Sequence, residues 1–296
     1  MRTNGIFTIH SVTIPFSKFG ETLYIIPFGD IHRSSPLCHV KKWQDHLAWA
    51  KTKKNAYFLG MGDYDDLAST SERMILMDRN LHESTKDTLE DLYKSHTERL
   101  AKELMFAKGR YIGMLEGNHY GEFLNGQTTT QLLCDRLGTK YLGCSSFIRV
   151  YLKYDTAKGK DSCKSTYVDI WAHHGLGAAR LIGGSLNRVA QMQEAATADI
   201  YLQGHDHRKS VGMQTRLRLK SSGHDLRLSH QKVLVARTGS FLKGYVPDKA
   251  SYVADGAMNP TDLGVVKIEL TPRRIREWEG EKQTLDIIEV DIHASI

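Results

Sequence analysis

Short apolar runs that each end in a cluster of polar residues constrain the fold of this chain more than any other feature. Each run predicts a buried strand that enters a loop, and they cover residues 23–28, 56–59, 110–115, 167–172 and 199–202. Helical patterns separate them, at 40–51, within 69–108 and at 128–137. This alternation predicts an α/β architecture, in which ligands gather at the carboxyl ends of the strands.

The pattern changes after residue 208, where extended segments with turn signals replace the alternation. Residues 211–240 and 263–270 predict a second, more antiparallel sheet packed against the first. Because no linker or internal repeat is evident, residues 1–296 are predicted to form a single domain with a helical insertion around 69–108. The segment 208–232 is interpreted as a basic hairpin, with cations at Arg208, Lys209, Arg216, Arg218, Lys220, Arg227 and Lys232.

The composition indicates an ordinary globular protein, with 41% hydrophobic and 25% charged residues. No apolar run approaches the roughly 20 residues of a membrane span, and the first residues lack a secretory apolar core. Four cysteines without CxxC spacing predict reduced, mostly buried thiols in a cytoplasmic protein. The net charge of +6 suits an anionic substrate, although a plain solvated surface explains it equally well.

The polar clusters contain the side chains that bind first-row divalent cations. They are Asp30-Ile31-His32, Gly62-Asp63-Tyr64-Asp65-Asp66, Gly117-Asn118-His119, His173-His174-Gly175 and Gly204-His205-Asp206-His207. Taken singly, each cluster also fits a turn or an ordinary buried histidine. Together they provide carboxylate, imidazole and amide ligands suited to Mn²⁺, Fe²⁺ or Zn²⁺, and a carboxylate that can bridge two ions.

In this order, the motifs DxH, GDxxD, GNH, H and GHxH resemble the calcineurin-like metallophosphoesterase superfamily over roughly residues 23–210. The resemblance implies two packed mixed β-sheets flanked by helices, as a four-layer α/β/β/α sandwich. It implies two divalent metal ions, with Mn favoured over Fe or Zn. It also implies hydrolysis of a phosphate ester by attack of a metal-bridging hydroxide.

The resemblance further implies metal ligands at particular positions. The first ion would be held by Asp30, His32 and His207, and Asp63 would bridge both ions. The second ion would be completed by Asn118, His205 and His173, with His174 as the alternative to His173.

The same resemblance implies that His119 donates a proton or contacts the substrate phosphate, and that Asp66 orients it. Asp65 has no implied role and is expected to lie in solvent. Tyr120 stands where many family members have an acidic residue. Its phenol either contacts a base or phosphate, or packs against the loop 121–126.

The substrate is less constrained than the chemistry. Arg180 and Arg188, in the glycine-rich stretch 174–188, either clamp a phosphate or a nucleic-acid backbone or are simply exposed. The basic hairpin either binds along a nucleic-acid backbone or is a solvent-exposed edge whose charges prevent pairing with other strands. We favour a phosphodiester or nucleic-acid substrate; the alternatives are a phosphomonoester such as a nucleotide or phosphoprotein, and a non-catalytic scaffold. Whether the 69–108 insertion caps the site stays open.

Overall fold

A computed structural model describes residues 7–76, 81–155, 164–177, 179, 181–222, 225–249, 251–279 and 282–296. The strands within these ranges are β1 (Thr8–Phe16), β2 (Leu23–Phe28), β3 (Ala56–Gly60), β4 (Tyr111–Met114), β5 (Ser145–Tyr154), β6 (Ser165–His173), β7 (Ile200–Gln203), β8 (Lys209–Ser222), β9 (Asp225–Ser240), β10 (Gly264–Val265), β11 (Lys267–Glu279) and β12 (Lys282–Ser295). The helices are α1 (Val40–Thr52), α2 (Thr70–Leu76), α3 (Glu83–Leu104), α4 (Thr129–Leu137), α5 (Ile182–Ala195) and α6 (Tyr252–Asp255), and a 3-10 turn at Met105–Ala107 follows α3.

Two mixed sheets form the centre of the molecule, in agreement with the predicted α/β class. One sheet has the strand order β12-β11-β2-β3-β4, with β2, β3 and β4 parallel to one another. The other has the order β1-β5-β6-β7-β9-β10, with β8 paired to β9. In this second sheet β6, β7 and β9 run parallel, whereas β5 runs antiparallel to β6.

The prediction of a separate antiparallel sheet after residue 208 is wrong. The β8–β9 hairpin forms as predicted, but β9 also pairs in parallel with β7 and so extends the sheet that contains β6. The β11–β12 hairpin joins the other sheet, because Ile268–Leu270 pairs with Leu23–Ile25. Each sheet therefore combines strands from both halves of the chain.

Side-chain alternation along the strands sorts the core into separate clusters. In β2, Leu23 and Ile25 face a cluster shared with the other sheet, whereas Ile26 and Phe28 face a cluster built with helices α1, α3 and α4. Residues of β6, β7 and β9 alternate in the same way between the shared cluster and a cluster that includes Val189 of α5. The period of two thus gives these central strands one face toward the other sheet and one face toward helices.

Helix α4 begins and ends where the sequence supplies capping groups. Thr128 and Gln131 form a reciprocal capping box at the start of α4, and Gly138 ends that helix with φ 66°. The helical prediction for 69–108 is confirmed by α2 and α3, which are joined through residues 77–80, outside the described ranges. No helix among the described residues is long and apolar enough to cross a membrane.

The described cysteines are unpaired. Cys38 and Cys134 are buried, as predicted, whereas Cys144 is exposed. Cys163 lies outside the described residues.

Candidate metal centre

The loops that follow β2, β3, β4, β6 and β7 meet at one edge of the two sheets. The backbone N–H groups of Ile31 and His32 donate to the carbonyl of Asp63 at 2.8 and 3.1 Å, which fixes the β2 loop to the β3 loop. The N–H of His205 donates to Asp30 Oδ2 at 2.9 Å and ties the β7 loop to the same place. The predicted convergence of polar clusters is therefore present.

Close backbone approach at two glycines makes this convergence possible. Asp63 Oδ1 accepts hydrogen bonds from the N–H groups of Asn118 and His119 at 2.7 and 2.9 Å. A Cβ on Gly117 would collide with that carboxylate and with the Asp63 backbone. A Cβ on Gly204 would lie 2.8 Å from Asp30 Oδ2. Each aspartate thus uses one oxygen for the backbone and leaves the other for the site.

The first candidate cation group consists of Asp30, His32 and His207, whose ligand atoms all lie within 4.8 Å of one another. His207 Nε2 is 3.7 Å from Asp30 Oδ1. Among the described residues, Asp30 Oδ1 and both ring nitrogens of His32 are buried without a hydrogen-bond partner. Buried polar atoms normally have partners, so these atoms point to a bound group.

The second candidate group consists of Asp63, His174 and His205. His174 Nδ1 lies 2.7 Å from the Met61 carbonyl, an acceptor, so Nδ1 carries the hydrogen and Nε2 faces Asp63 Oδ2 at 3.3 Å. Asn118 Oδ1 lies 3.1 Å from His174 Nε2 and 2.9 Å from His205 Nδ1. The amide oxygen therefore belongs to this group.

Asp63 lies between the two groups. Its Oδ2 atom is 3.3 Å from His174 Nε2 in the second group and 3.8 Å from His32 Nε2 in the first. Asp63 Oδ2 is therefore close to a histidine of each group.

The geometry brings His174, the alternative, and not His173 into the second group. His173 is the last residue of β6 and has the same strand parity as Trp171, which packs in the outer cluster beside α5. Its Nδ1 accepts a hydrogen bond from the N–H of Gly175 at 2.7 Å. His174 lies one residue further, is 3% exposed and joins Asp63 and His205.

His119 and Asp66 form a pair beside the first group. His119 Nδ1 is 2.7 Å from Asp66 Oδ1, and the same oxygen is 3.6 Å from His32 Nδ1. Both side chains are about one-third exposed, at 28% and 33%. The predicted pairing of a histidine with an orienting aspartate is thus present in the geometry.

Several of the candidate ligands have backbone conformations that are rare for residues other than glycine. The φ angles are 46° at Asp30, 48° at His32, 48° at Asp63, 70° at His205 and 60° at His207. Left-handed φ values in non-glycine residues are strained, and such strain clusters at functional sites. The loops therefore turn sharply enough to bring adjacent side chains to the same point.

The electrostatics of the second group favour the cation-binding forms of Asp63 and His205, whereas the proton that Asp63 stabilises on His174 would have to be released when a cation binds. Burial alone would raise the pKa of Asp63, but the charge and hydrogen bond of His174 hold it well below its ordinary value. Burial would lower the pKa of His174, but Asp63 raises it to about 9. Burial and the charge of His174 lower the pKa of His205 to about 4. Asp63 is therefore ionised, and His205 is a neutral imidazole with a free lone pair.

The first group shows related shifts. Burial raises the pKa of Asp30 to about 7, although the positive charges of His174 and His32 oppose the shift. Burial and the neighbouring His32 hold the pKa of His207 well below its ordinary value. His207 is therefore neutral, and burial opposes ionisation of Asp30. A bound cation would stabilise both the neutral imidazole as a ligand and the ionised carboxylate.

The donor set fits divalent first-row cations. It combines buried carboxylates, neutral imidazoles and an amide oxygen, without cysteine, in two adjacent groups. The partnerless atoms of Asp30 and His32 agree with this fit. We conclude that these histidine and aspartate groups could hold metal ions.

Two buried arginines that sequence reasoning did not single out brace the loops. Arg73 of α2 donates to the carbonyls of Asn118 and Tyr120 at 2.7 and 3.2 Å, on either side of His119. Arg237 of β9 is fully buried and donates to the Gly204 carbonyl at 2.9 Å. The β4 and β7 loops are thus held by guanidinium groups from other elements, and isolated arginines leave no sequence signal for such a role.

A second bond of Arg237 involves the residue between two candidate ligands. Its Nε lies 3.3 Å from the carboxylate of Asp206, which also accepts a hydrogen bond from the hydroxyl of Ser185 in α5. A buried charge needs such partners. A buried ion pair between Arg237 and Asp206 therefore fixes the His205–His207 loop.

Asp65 was expected to lie in solvent, but the residue is buried and only 6% exposed. Its Oδ1 atom accepts a hydrogen bond from the N–H of Ser34 at 2.6 Å. Its Oδ2 atom lies 3.4 Å from Arg99 Nη2 and 3.5 Å from His96 Nδ1, both in α3. The third acidic residue of the cluster therefore joins α3 to the loops of the site.

The predicted substrate contacts have varied positions. Arg180 lies outside the described residues. Arg188 is exposed and donates to the carbonyl of Leu176 at 3.1 Å. The guanidinium of Arg73 lies over the ring of Tyr120, with Arg73 Cζ 3.7 Å from the ring centroid. Arg188 and Tyr120 thus have partners within the protein.

Several cations of the predicted basic hairpin are also paired. Lys209 lies 2.6 Å from Asp262, Arg216 donates to Gln193 at 2.6 Å, and Lys232 lies 2.6 Å from Asp291. The side chains of Lys220 and Arg227 are outside the described set. The hairpin exists, and the carboxylates of Asp262 and Asp291 offset two of its positive charges, which leaves less charge for a nucleic-acid backbone.

A cavity of about 460 Å³ opens onto the candidate centre. On one side it is bordered by His32, Asp63, Asp66, His119, His205 and His207. On the other side are Leu37, Leu242 and the segment 251–261, which follows β9. In the described part of the chain, α2 and α3 contribute no side chain to this lining, so the segment 251–261 forms the wall instead.

Comparisons of the chain with models of protein families, with curated proteins and with solved structures find no match.

Proposed function

We propose that this chain is a metal-dependent phosphoesterase of the calcineurin-like type. The observation that supports this most is the convergence of two cation-binding groups on Asp63, with His119 and Asp66 beside them. The order of layers, with helices, two packed sheets and a further helix, supports the four-layer architecture of that superfamily.

In this proposal the residues divide into two ligand sets. One ion would be held by Asp30, His32 and His207, and the other by Asn118, His174 and His205, and Asp63 would contribute to both sets. Bound divalent cations would supply hydroxide at neutral pH and neutralise negative charge on the phosphoryl oxygens. Mn²⁺ is the first choice for this donor set, and Fe²⁺ and Zn²⁺ are the alternatives.

The protein's own contribution to catalysis is proton transfer and positioning. Asp66 Oδ1 lies 2.7 Å from His119 Nδ1 and accepts its hydrogen, so the proton for the leaving oxygen would come from Nε2 of the doubly protonated ring. Arg73 holds the backbone carbonyls on both sides of His119, so the imidazole is presented on a fixed loop.

The test is hydrolysis of an aryl phosphomonoester and an aryl phosphodiester by the full chain with added Mn²⁺. We expect turnover that Asp63→Asn abolishes, because this change weakens the shared ligand of both groups. Asp45→Asn is the matched control, because Asp45 is exposed on α1 and should leave the rate unchanged. Loss of rate in both variants, or in neither, contradicts the proposal.

A second comparison tests the role of His119. His119→Ala should lower kcat by about 10²–10⁴-fold on an ester with a poor leaving group, since general-acid catalysis contributes on this scale. The loss should be much smaller on an ester with a good leaving group, which needs no proton. Equal losses on both esters would show that His119 is not the proton donor. A protein that binds Mn²⁺ but hydrolyses neither class of ester would favour the scaffold alternative.

A further inference from the structure

The cavity beside the candidate centre has two chemically different sides. The side formed by the histidine and aspartate groups suits a phosphoryl group. The rest of the lining contains the apolar side chains of Leu37, Leu242, Val253 and Met258, together with the polar residues Ser35, Ser251, Asn259 and Thr261. A volume of about 460 Å³ is within the usual range for a small-molecule site. The cavity can therefore enclose a phosphoryl group together with one compact organic group.

The apolar side is held in place by bonds to the rest of the molecule. The N–H of Lys243 donates to the Leu37 carbonyl at 3.0 Å, which joins the segment after β9 to the segment after β2. The N–H of Met258 donates to the Val253 carbonyl at 2.9 Å, and the Tyr245 hydroxyl donates to the Met258 carbonyl at 2.6 Å. These hydrogen bonds hold the backbone of the apolar wall in a defined conformation.

Charges near the cavity argue against an extended polyanion. Arg208 lines the cavity, and the next cation, Lys209, is paired with Asp262. Further along the hairpin, Lys232 is paired with Asp291. A nucleic-acid backbone needs a continuous track of available cations. An apolar wall and paired cations instead fit a substrate that carries a single phosphoryl group.

Resting on the proposed phosphoesterase function, we propose that the substrate is a compact phosphate ester whose leaving group places an apolar, aromatic face against Leu37, Leu242, Val253 and Met258. Burial of such a face is favourable in proportion to its apolar area. The wall then selects the leaving group, while the histidine and aspartate groups bind the phosphoryl end.

The experiment measures binding, so it does not depend on turnover. Methylphosphonate, phenylphosphonate and 2-naphthylphosphonate are titrated into the full chain with Mn²⁺ in a calorimeter. We expect the affinity to rise at least about tenfold from methyl to naphthyl, because the ring buries apolar area against the wall. Equal affinities for the three phosphonates would overturn the inference.

Variants locate the effect on the wall. Leu242→Ala and Met258→Ala both change half-buried side chains, and either one suffices if the other does not fold. Each should remove most of the gain for naphthyl while methylphosphonate binding stays within about twofold. Leu124→Ala is the control, because Leu124 is 68% exposed and lines a different cavity. Equal losses for methyl and naphthyl in the wall variants would overturn the inference.

The outcomes separate this inference from the proposed function. Ring-dependent binding without hydrolysis of any ester would leave the apolar subsite standing and reject the phosphoesterase function. Hydrolysis without ring-dependent binding would do the reverse. A single-stranded oligonucleotide that displaces naphthylphosphonate, binds more tightly and shows a steep salt dependence would replace the compact ester with a nucleic-acid substrate.

Discussion

At the scale of single residues, strand parity decides which histidine of the pair 173–174 faces the candidate centre. Ile170 and Ala172 face the cluster between the sheets, and Trp171 faces outward. His173 continues the outward series, so the next residue is the one that turns inward. The period of two was present in the sequence and could have identified His174.

This geometry predicts different metal contents for two alanine variants. His174→Ala should retain about one Mn²⁺ per chain, because it removes a ligand of the second group only. His173→Ala should retain the wild-type content, since its ring nitrogen bonds to the backbone of Gly175. Elemental analysis after dialysis against Mn²⁺ measures both. The reverse order of metal contents would restore His173 as the ligand.

Asp65 predicts a stability effect that its sequence position did not suggest. Asp65→Ala would leave the buried N–H of Ser34 and the side chain of Arg99 without their acceptor, so the free energy of unfolding should fall by about 1–3 kcal/mol. Asp45→Ala removes an exposed pair with Lys41 and should cost less than about 1 kcal/mol. Urea unfolding measures both variants. Equal effects would show that burial of Asp65 contributes nothing.

The residues whose convergence the sequence predicted are those within short motifs. Asp30, His32, Asp63, His205 and His207 come together because each motif fixes its own sharp loop. Asp65, Arg73 and Arg237 could not be predicted, because their partners come from elements distant in the chain. Local sequence therefore specifies ligands better than it specifies the groups that brace them.

At the scale of elements, the loops tolerate no side chain where two of them touch. Gly117→Ala should displace Asp63 and reduce both Mn²⁺ content and stability, because the added Cβ would collide with the Asp63 carboxylate. Gly183→Ala is a matched control in α5, where no described heavy atom lies within 4 Å of the added Cβ. It should be neutral or stabilise by up to about 1 kcal/mol. Thermal unfolding and elemental analysis separate the two; similar behaviour would contradict the close approach.

The strands after which the polar clusters fall were predicted correctly, but the arrangement of the sheets was not. β1 and β5 were missed, although β5 alternates between buried and less buried positions. The predicted strands divide between two sheets because pairing is decided by contacts between distant segments, such as β7 with β9 and β2 with β11. Periodicity reports the face of a strand and carries no information about its neighbour.

At the scale of the whole molecule, the candidate centre lies between the two sheets. Loops of the five-stranded sheet supply Asp30, His32, Asp63 and Asn118, and loops of the seven-stranded sheet supply His174, His205 and His207. A cation held by both sets would bind the folded chain and not the unfolded chain. Bound metal should therefore stabilise the packing of one sheet on the other.

This arrangement predicts a stability change on metal removal. At a Mn²⁺ concentration 100 times the dissociation constant, the stabilisation is about 2.7 kcal/mol, which corresponds to a rise in Tm of roughly 4 °C for a chain of this length. Asp63→Asn should lose most of this rise, and Asp45→Asn should keep it. Calorimetric scans with Mn²⁺ and with a chelator measure the difference. A rise of equal size in both variants would place the stabilising metal elsewhere.

The backbone is left-handed at five candidate ligands, Asp30, His32, Asp63, His205 and His207. These conformations position the side chains of the site but lower the stability of the fold. Each such conformation costs roughly 1–2 kcal/mol relative to a residue that adopts it freely. A library of variants sorted only for resistance to unfolding would therefore fill these positions with glycine and asparagine. The histidines would be among the first residues lost, and only selection for what they bind would keep them.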